Sequence, residues 1–423
     1  MNDKVKQGGT LTLIKIAFRN IWRNKRRTAF CFTAVGIAVF FIVIYSAMIA
    51  GMTNSMNELV QIFELGHVRV VSAEFEAESE HLPVQSPVAD GVSWRELAAS
   101  IYEIDGVRAV FPRIVTHASL QESVIKHAFL WGLDIEAEMA ANNFNLTNRN
   151  DGLIEGSWPR PGTNQAAIGR VFAQRSGLGI GDEIPLRTMS AQFSDRFWSP
   201  EITGIFDFDY IRYDGQFIIV DIERLQRLLV LGEGTQSLVI FANDERQSRS
   251  IAAAVQNLMG EYNVVTEWQD TYWVAMMRMV VPIYTIVFLV FLIVASFLII
   301  NTVVMIIHER IKEIGMMGSL GMTRREIVSV FFYESLFLAI FGALCGVIAG
   351  GLITGIVSNY PIRFGDLYGN TFADMPMSNS IFLDFSFGRL VMAWVMGVAI
   401  TSIFTLIPSL KSAFVEPVEA LRR

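Results

Sequence analysis

ERIKEIGMMGSLGMTRREIVSVFFYE, Glu309 to Glu334, sets a short polar stretch punctuated by glycine between two long apolar runs. Met279 to Ile307 holds 29 residues without a charge before it, and Ser335 to Ser358 holds 24 after it. Each is long enough to cross a bilayer core, which takes about 20 apolar residues. Ala29 to Gly51, with 23 uncharged residues, and Leu390 to Leu410, with 21, bring the expected membrane helices to four. Composition agrees: 52% of the 423 residues are hydrophobic and the mean hydropathy is +0.40, more than a soluble domain of this length carries.

The basic residues set the expected orientation. Lys15, Arg19, Arg23, Lys25, Arg26 and Arg27 precede the first run, Arg310, Lys312, Arg324 and Arg325 lie between the second and third, and Lys411, Arg422 and Arg423 follow the fourth. By the positive-inside rule these segments, and both termini, face the cytoplasm. Residues Met52 to Met277 then lie outside it, with 31 Asp and Glu against 16 Lys and Arg, a net charge of −15. A surface this acidic is unsuited to nucleic acid, since phosphate contacts need clustered cations. The basic and apolar N-terminal stretch reads as an uncleaved first span, because its apolar run exceeds a signal-peptide core and no small-residue cleavage motif follows.

Inside this insertion, β-branched runs predict strands at His67 to Val71, His127 to Leu133, Glu183 to Leu186, Glu201 to Phe206, Gln216 to Asp221 and Ser237 to Phe241. Apolar spacing predicts helices at Trp94 to Ile104, Glu223 to Leu229 and Arg246 to Met259. Gly177 to Asp182 reads as a turn and Leu82 to Val92, rich in Pro and Ser, as a loop. The expectation is an α+β domain in two lobes, large enough to build an ordinary core without disulfides. The two cysteines, Cys31 and Cys345, both fall in apolar runs. Asn145-Leu-Thr147 matches a glycosylation sequon by pattern alone.

No motif for catalysis is present. The chain lacks a GxxxxGK[ST] phosphate loop, HExxH, GxSxG and CxxC, and GLGIG at Gly177 to Gly181 lacks the spacing of a dinucleotide site. His67, His81, His117, His127 and His308 have no metal-ligand spacing, so no metal and no cofactor are expected in this chain.

Three segments carry a resemblance: IAFRNIWRNKRRT (Ile16 to Thr28), ERIKEIGMMGSLGMTRREI (Glu309 to Ile327) and IPSLKSAFVEPVEALRR (Ile407 to Arg423). Together with the order of span, large exported domain and three spans, they resemble the permeases of the MacB/LolCE/FtsX class of ABC transporters, over essentially the whole chain. Within that class MIAGMTNSMNELVQIFELGHVRVV (Met48 to Val71) and the acidic exported domain are most similar to the LolC/LolE lipoprotein-releasing permeases. The resemblance implies a bacterial inner-membrane protein with four transmembrane helices and a periplasmic α+β domain between helices 1 and 2. ATP and Mg would be bound by a partner ABC ATPase dimer, and a second copy of the chain or a paralogous permease would complete the complex.

Glycines at 315, 318 and 321 interrupt the helix that continues the second run, so that Thr323 can cap a new helix with Glu326 three residues on. By resemblance this is the coupling element, with Glu313, Ile314, Gly315, Met316, Met317, Leu320 and Gly321 meeting the ATPase. Leu11 to Trp22 is amphipathic, with Leu13, Ile16, Ala17 and Ile21 on one face and Lys15, Arg19 and Arg23 opposite, the pattern of a helix lying on membrane lipid. Gly342, Gly346 and Gly350 make two small-xxx-small steps that allow close helix packing. The second run would reach about 44 Å at 1.5 Å per residue, beyond the core of about 30 Å, and project outward as a stalk; Tyr272, Trp273 and Tyr284 sit where its base meets the interface.

The expected function is extraction of lipoproteins from the inner membrane by mechanotransmission from the ATPase. Acyl chains would enter along Phe30, Phe32, Phe40, Phe41, Met48, Met52, Ile283, Val287 and Val290, bulky uncharged residues that would equally suit lipid. Leu186 to Glu201, LRTMSAQFSDRFWSPE, matches the family's hairpin for a periplasmic chaperone and carries Met189, Phe193, Phe197 and Trp198. These aromatics could instead pack on their own domain. Two alternatives stand beside this: MacB-like efflux of a peptide, drug or amphiphile, and an FtsX-like, non-transporting control of a cell-wall enzyme.

Overall fold

The computed structural model describes residues 13–19, 22, 25–88, 91–120, 124–141, 152–309, 316, 322–360, 362–363, 378 and 380–412. It divides into two units, one of Met1–Met52, Met279–Ile362 and Ile381–Arg423, the other of Thr53–Arg278 and Arg363–Ser380.

The first unit is helical. A stretch over residues 13–19 precedes α1 (Lys25–Leu59). In chain order there follow α2 (Trp94–Tyr102), α3 (Ile222–Leu229) and α4 (Ser248–Met259) of the second unit, then α5 (Tyr272–Glu309), α6 (Arg324–Val357) and α7 (Phe387–Ser412). Among the described residues, Thr28–Leu65, Arg324–Val357 and Phe387–Leu406 are long and apolar enough to cross a membrane. α5 has 38 residues. Val35, Val39, Ile42 and Val43 of α1 pack with Ile327, Phe331 and Ala343 of α6 and Ala393 of α7. Gly342, Gly346 and Gly350 form the seam against α1: a Cβ on Gly346 would stand 2.3 Å from the Gly36 carbonyl oxygen, and one on Gly350 2.8 Å from Val43 Cβ. Backbone meets backbone there because a small residue recurs every fourth position. The Trp394 indole N–H donates to the Ile340 carbonyl at 3.2 Å and ties α7 to α6.

α6 begins where its sequence says it should. Thr323 Oγ1 accepts from the Glu326 amide at 3.4 Å, and Glu326 Oε2 accepts from the Thr323 amide at 2.7 Å, the reciprocal pair of a capping box.

The second unit is built on one continuous sheet. Its strands are β1 (Val68–Ser72), β2 (Val107–Leu120), β3 (His127–Leu133), β4 (Leu153–Gly156), β5 (Gln165–Gly169), β6 (Leu186–Met189), β7 (Asp195–Trp198), β8 (Glu201–Phe206), β9 (Phe217–Asp221), β10 (Ser237–Ala242) and β11 (Asn263–Glu267). The order is β11-β1-β10-β2-β3-β9-β5-β8-β4, with β6 and β7 as a hairpin on β2. The expected two lobes are thus two ends of a shared sheet with separate cores: Val68, Val70, Ile240, Ile251 and Val255 at the β1 end, Ile168, Ile202, Ile218, Val220 and Leu225 toward β5. Each large side chain buried in them stabilises the fold by roughly 1.5–3 kcal/mol.

The strand expected over Glu183 to Leu186 is instead Leu186–Met189; Glu183 makes an isolated bridge to Glu201. β2, the longest strand at 14 residues, escaped the pattern because Pro112, Arg113 and His117 interrupt it. Pro112 is tolerated because it pairs with Leu238 of β10 while the ladder to β3 begins only at Arg113, so no bond to β3 needs its missing N–H. α3 follows β9 directly: Asp221 accepts from the Arg224 amide at 3.1 Å as N-cap, and Ile222, Leu225 and Leu229 bury one face. Leu225 packs against Gly132, where a Cβ would stand 2.7 Å from Leu225 Cδ2.

Candidate functional site

α1 and α5 carry the residues expected to meet cargo. On α1, Phe30, Ile37 and Phe41 are exposed, seven and four residues apart. On α5, Met279, Ile283, Tyr284, Ile286, Leu289, Val290 and Phe297 are exposed, so the apolar surface of this helix is not confined to one stripe. The rings of Tyr45 and Tyr284 meet edge to face, centroids 6.3 Å apart, and bring the two helices together. Phe41, Ile283 and Val290 therefore present apolar surface, and Met48 and Met52 are half-buried. Phe40 is half-buried beside the α6 seam, its amide 3.0 Å from where a Gly346 Cβ would lie. Phe32 lines a cavity with Phe337 and Phe341 of α6, so it does not belong with the α5-facing set. The Val287 side chain lies outside the described residues.

Of the coupling residues, Met316 is helical and 53% exposed. Glu313, Ile314, Gly315, Met317, Leu320 and Gly321 lie outside the described residues, as does the sequon at Asn145.

Within the segment Leu186 to Glu201, β6 and β7 form a β-hairpin over Leu186–Trp198. Alternation turns Leu186 and Thr188 inward, and Arg187 and Met189 outward. Met189, Phe193 and Phe197 are 53%, 69% and 67% exposed. Trp198 is not: it pairs with Leu186, is buried, and its indole N–H donates to Asn164 Oδ1. Trp198 therefore packs on its own domain and is not available for docking, because the last residue of β7 points into the core. The hairpin is pinned by Arg187, whose Nε and Nη2 donate to the two carboxylate oxygens of Asp195 at 3.0 and 2.9 Å. At the tip Phe193 holds φ +57°, a conformation that disfavours any residue with a Cβ. The strained tip holds the Phe193 ring out to solvent.

A second feature gave no signal in the sequence. After Leu59 the helix widens into a π turn, Val60–Leu65, ended by Gly66 at φ +65°. Phe63 is fully enclosed by Trp131, Phe208, Tyr210 and Tyr213. The Phe63 carbonyl accepts from Arg113 Nη1 at 3.0 Å and from the Tyr213 hydroxyl at 3.0 Å. Arg113 also grips Glu138 through two bonds of 2.9 and 2.7 Å, with both side chains buried. Glu64 accepts from the Tyr210 hydroxyl at 2.8 Å and pairs with Arg212 at 3.4 Å. Burial, then the nearby Glu64 charge, pushes the Tyr210 and Tyr213 phenols up, so both keep their protons to donate. Asp214, which accepts the Phe208 and Tyr210 amides at 2.8 and 3.0 Å, is held well above the usual carboxylate range by burial and then by Asp207. π turns recur at functional sites; here Val60–Leu65 is held against the sheet of the second unit.

Among the described residues, no three His, Cys, Asp or Glu are placed to hold a metal.

A membrane helix leading into an α+β domain, with more membrane helices after it, defines a class of permeases, and the comparisons agree. Residues 28–258 match the MacB-like periplasmic core domain, and residues 285–417 the FtsX-like permease C-terminal domain. The chain belongs to this family, the ABC transporter permeases of the MacB/LolCE/FtsX class, and its apolar helices and periplasmic-type domain fit a multi-pass inner-membrane protein. It is 21% identical over 363 residues to the lipoprotein-releasing system transmembrane protein LolC of Xylella fastidiosa strain Temecula1, covering 81% of this chain and 84% of that protein. Over 278 residues it is 21% identical to LolC of strain 9a5c, covering 62% and 66%. The periplasmic region of MacB from Actinobacillus actinomycetemcomitans aligns with 49% of this chain and 94% of its own length at 9% identity and a TM-score of 0.32.

Proposed function

We propose that the chain is the membrane subunit of a transporter that extracts lipoproteins from the inner membrane, driven by ATP hydrolysis in a separate ATPase dimer. Two permeases, identical or paralogous, would face each other, with four membrane helices each and both termini in the cytoplasm. The observation that carries the reading is the exposed apolar surface of α1 and α5. Such surface inside a complex suits acyl chains, which need a bulky uncharged path. Similarity to LolC supports lipoprotein as the cargo, and the exposed tip of the β6–β7 hairpin suits a periplasmic acceptor. The segment around Met316, Met317 and Leu320 would seat in the ATPase and pass its closure to α1 and α5.

The test is purification of the intact complex with its neighbouring ATPase. Triacylated lipoprotein should co-purify and leave on addition of ATP. Phe41→Asp together with Val290→Asp, an exposed pair on the two helices, should abolish the bound lipoprotein and leave the complex assembled. A wild-type complex with no bound lipoprotein would refute this cargo and favour efflux of another amphiphile. For coupling, Leu320→Asp would bury an unpaired charge at the contact; normal ATPase co-purification and stimulation by this variant would refute the docking role.

A further inference from the structure

The groove bounded by Phe18, Trp22, α1 and α6 has no part in the transport reading. Phe18, Trp22, Phe32, Phe337, Leu338 and Phe341 line it, and its volume is about 540 Å³. That falls within the roughly 300–1,000 Å³ of small-ligand pockets, far above a packing defect. Its lining is almost wholly aromatic and aliphatic.

The charges at its rim point to the occupant. Lys15, Phe18, Arg19 and Trp22 fall at i, i+3, i+4 and i+7, so two cations share a helix face with two of the groove's aromatics. The rotation of this stretch is set by two contacts: Ala17 is completely buried, and the Phe18 ring packs edge to face on Phe337 at 5.7 Å. Lys15 and Arg19 are thereby held outward, exposed, beside the apolar slot. Arg23, Lys25, Arg26 and Arg27 follow in sequence, and from Lys4 to Asn57 the sequence holds no acid, while Glu334 of α6 stands one turn before Phe337. The sequence pattern placed Lys15 and Arg19 opposite the apolar face; the structure puts Phe18 and Trp22 on their side as well.

We infer that this groove is a specific site for an anionic glycerophospholipid of the bilayer, one acyl chain lying against Phe32, Phe337 and Phe341 and the phosphate between Lys15 and Arg19. An apolar slot flanked by cations matches a ligand with an apolar tail and an anionic head. The exposed Trp22 ring, 64% accessible, suits the headgroup boundary. The site is separate from the cargo surface on α1 and α5, and it selects its ligand by headgroup charge, which an acylated cargo terminus does not supply.

The experiment uses the full chain, purified and titrated with phosphatidylglycerol or phosphatidylcholine of identical acyl chains, binding being counted by native mass spectrometry. A brominated-chain version of each lipid reports on the groove by quenching Trp22, taken as the difference from Trp22→Phe. Phosphatidylglycerol should bind at one saturable site and quench Trp22. Lys15→Glu with Arg19→Glu should weaken it by about thirtyfold or more, from two surface cations each adding about fivefold. Ala29→Trp, which places an indole in the groove from an exposed position, should abolish the quenching with the circular dichroism spectrum unchanged. Equal binding of the two lipids, or full binding by either variant, would overturn the proposal. So would a shift of oligomeric mass in Ala29→Trp with no change in bound lipid, which would make the groove an interface between copies.

Discussion

Replacing Arg113 with Leu would remove the cation that holds the π turn to the sheet. Arg113 and Glu138 are 2% and 0% exposed, so the Glu138 carboxylate would stay buried without its charge partner and the Phe63 carbonyl would lose one of its two donors. Breaking a buried pair from one side costs about 3–5 kcal/mol, mostly from the charge left behind. In a domain of this size each kcal/mol lowers Tm by roughly 2–4 °C, so the domain should melt about 6–20 °C earlier. The assay is thermal unfolding of the full chain followed by tryptophan fluorescence, since Trp131 stacks 5.3 Å from the Arg113 guanidinium. Arg113→Met with Glu138→Leu should recover most of the loss, because an apolar pair of similar volume often replaces a buried ion pair at little cost. A single mutant that melts within about 2 °C of the wild type, or a double mutant no better than Arg113→Leu, would refute the account of the latch.

Gly346→Leu should force α6 away from α1, because even a Cβ would meet the Gly36 carbonyl at 2.3 Å; expect at least about 1–3 kcal/mol. Gly355→Leu, whose Cβ would lie 3.6 Å from the Phe385 ring, should cost less, and the two are compared by thermal inactivation in detergent. Trp198→Ala should destabilise by about 3–5 kcal/mol and Phe197→Ala by less than about 0.5 kcal/mol; equal denaturant midpoints would contradict their opposite orientations. His67 is lowered by burial, then by Arg108, and its neutral Nδ1 accepts from the Ala242 amide at 2.8 Å. With the folded value below the free value of about 6.5, its contribution is complete above that pH and is lost as pH falls toward the folded value. The drop in denaturant midpoint from pH 7.5 to 5.5 should therefore be smaller in His67→Gln, and an identical drop would exclude this residue.

The sequence by itself determined what local signals carry. Uncharged runs long enough to cross a bilayer stand out because a charge at its centre is expensive, and the Thr323–Glu326 cap was legible because its two partners are three residues apart. His127 to Leu133 and Glu201 to Phe206 appeared as strands at their observed bounds, since alternation and β-branching are read along the chain. Tertiary structure alone decided which strands are neighbours, as in β9 lying parallel to β3 across more than 80 residues of intervening chain. It also decided that Trp198 faces the core while Phe197 faces out, that Arg113 of β2 meets Glu138 and the Phe63 carbonyl, and that Phe32 looks toward α6 and not α5. Each depends on what a side chain meets across the fold, and an Arg, a Trp or a Phe reads the same in the sequence whether its partner is a carboxylate, a neighbouring strand or lipid.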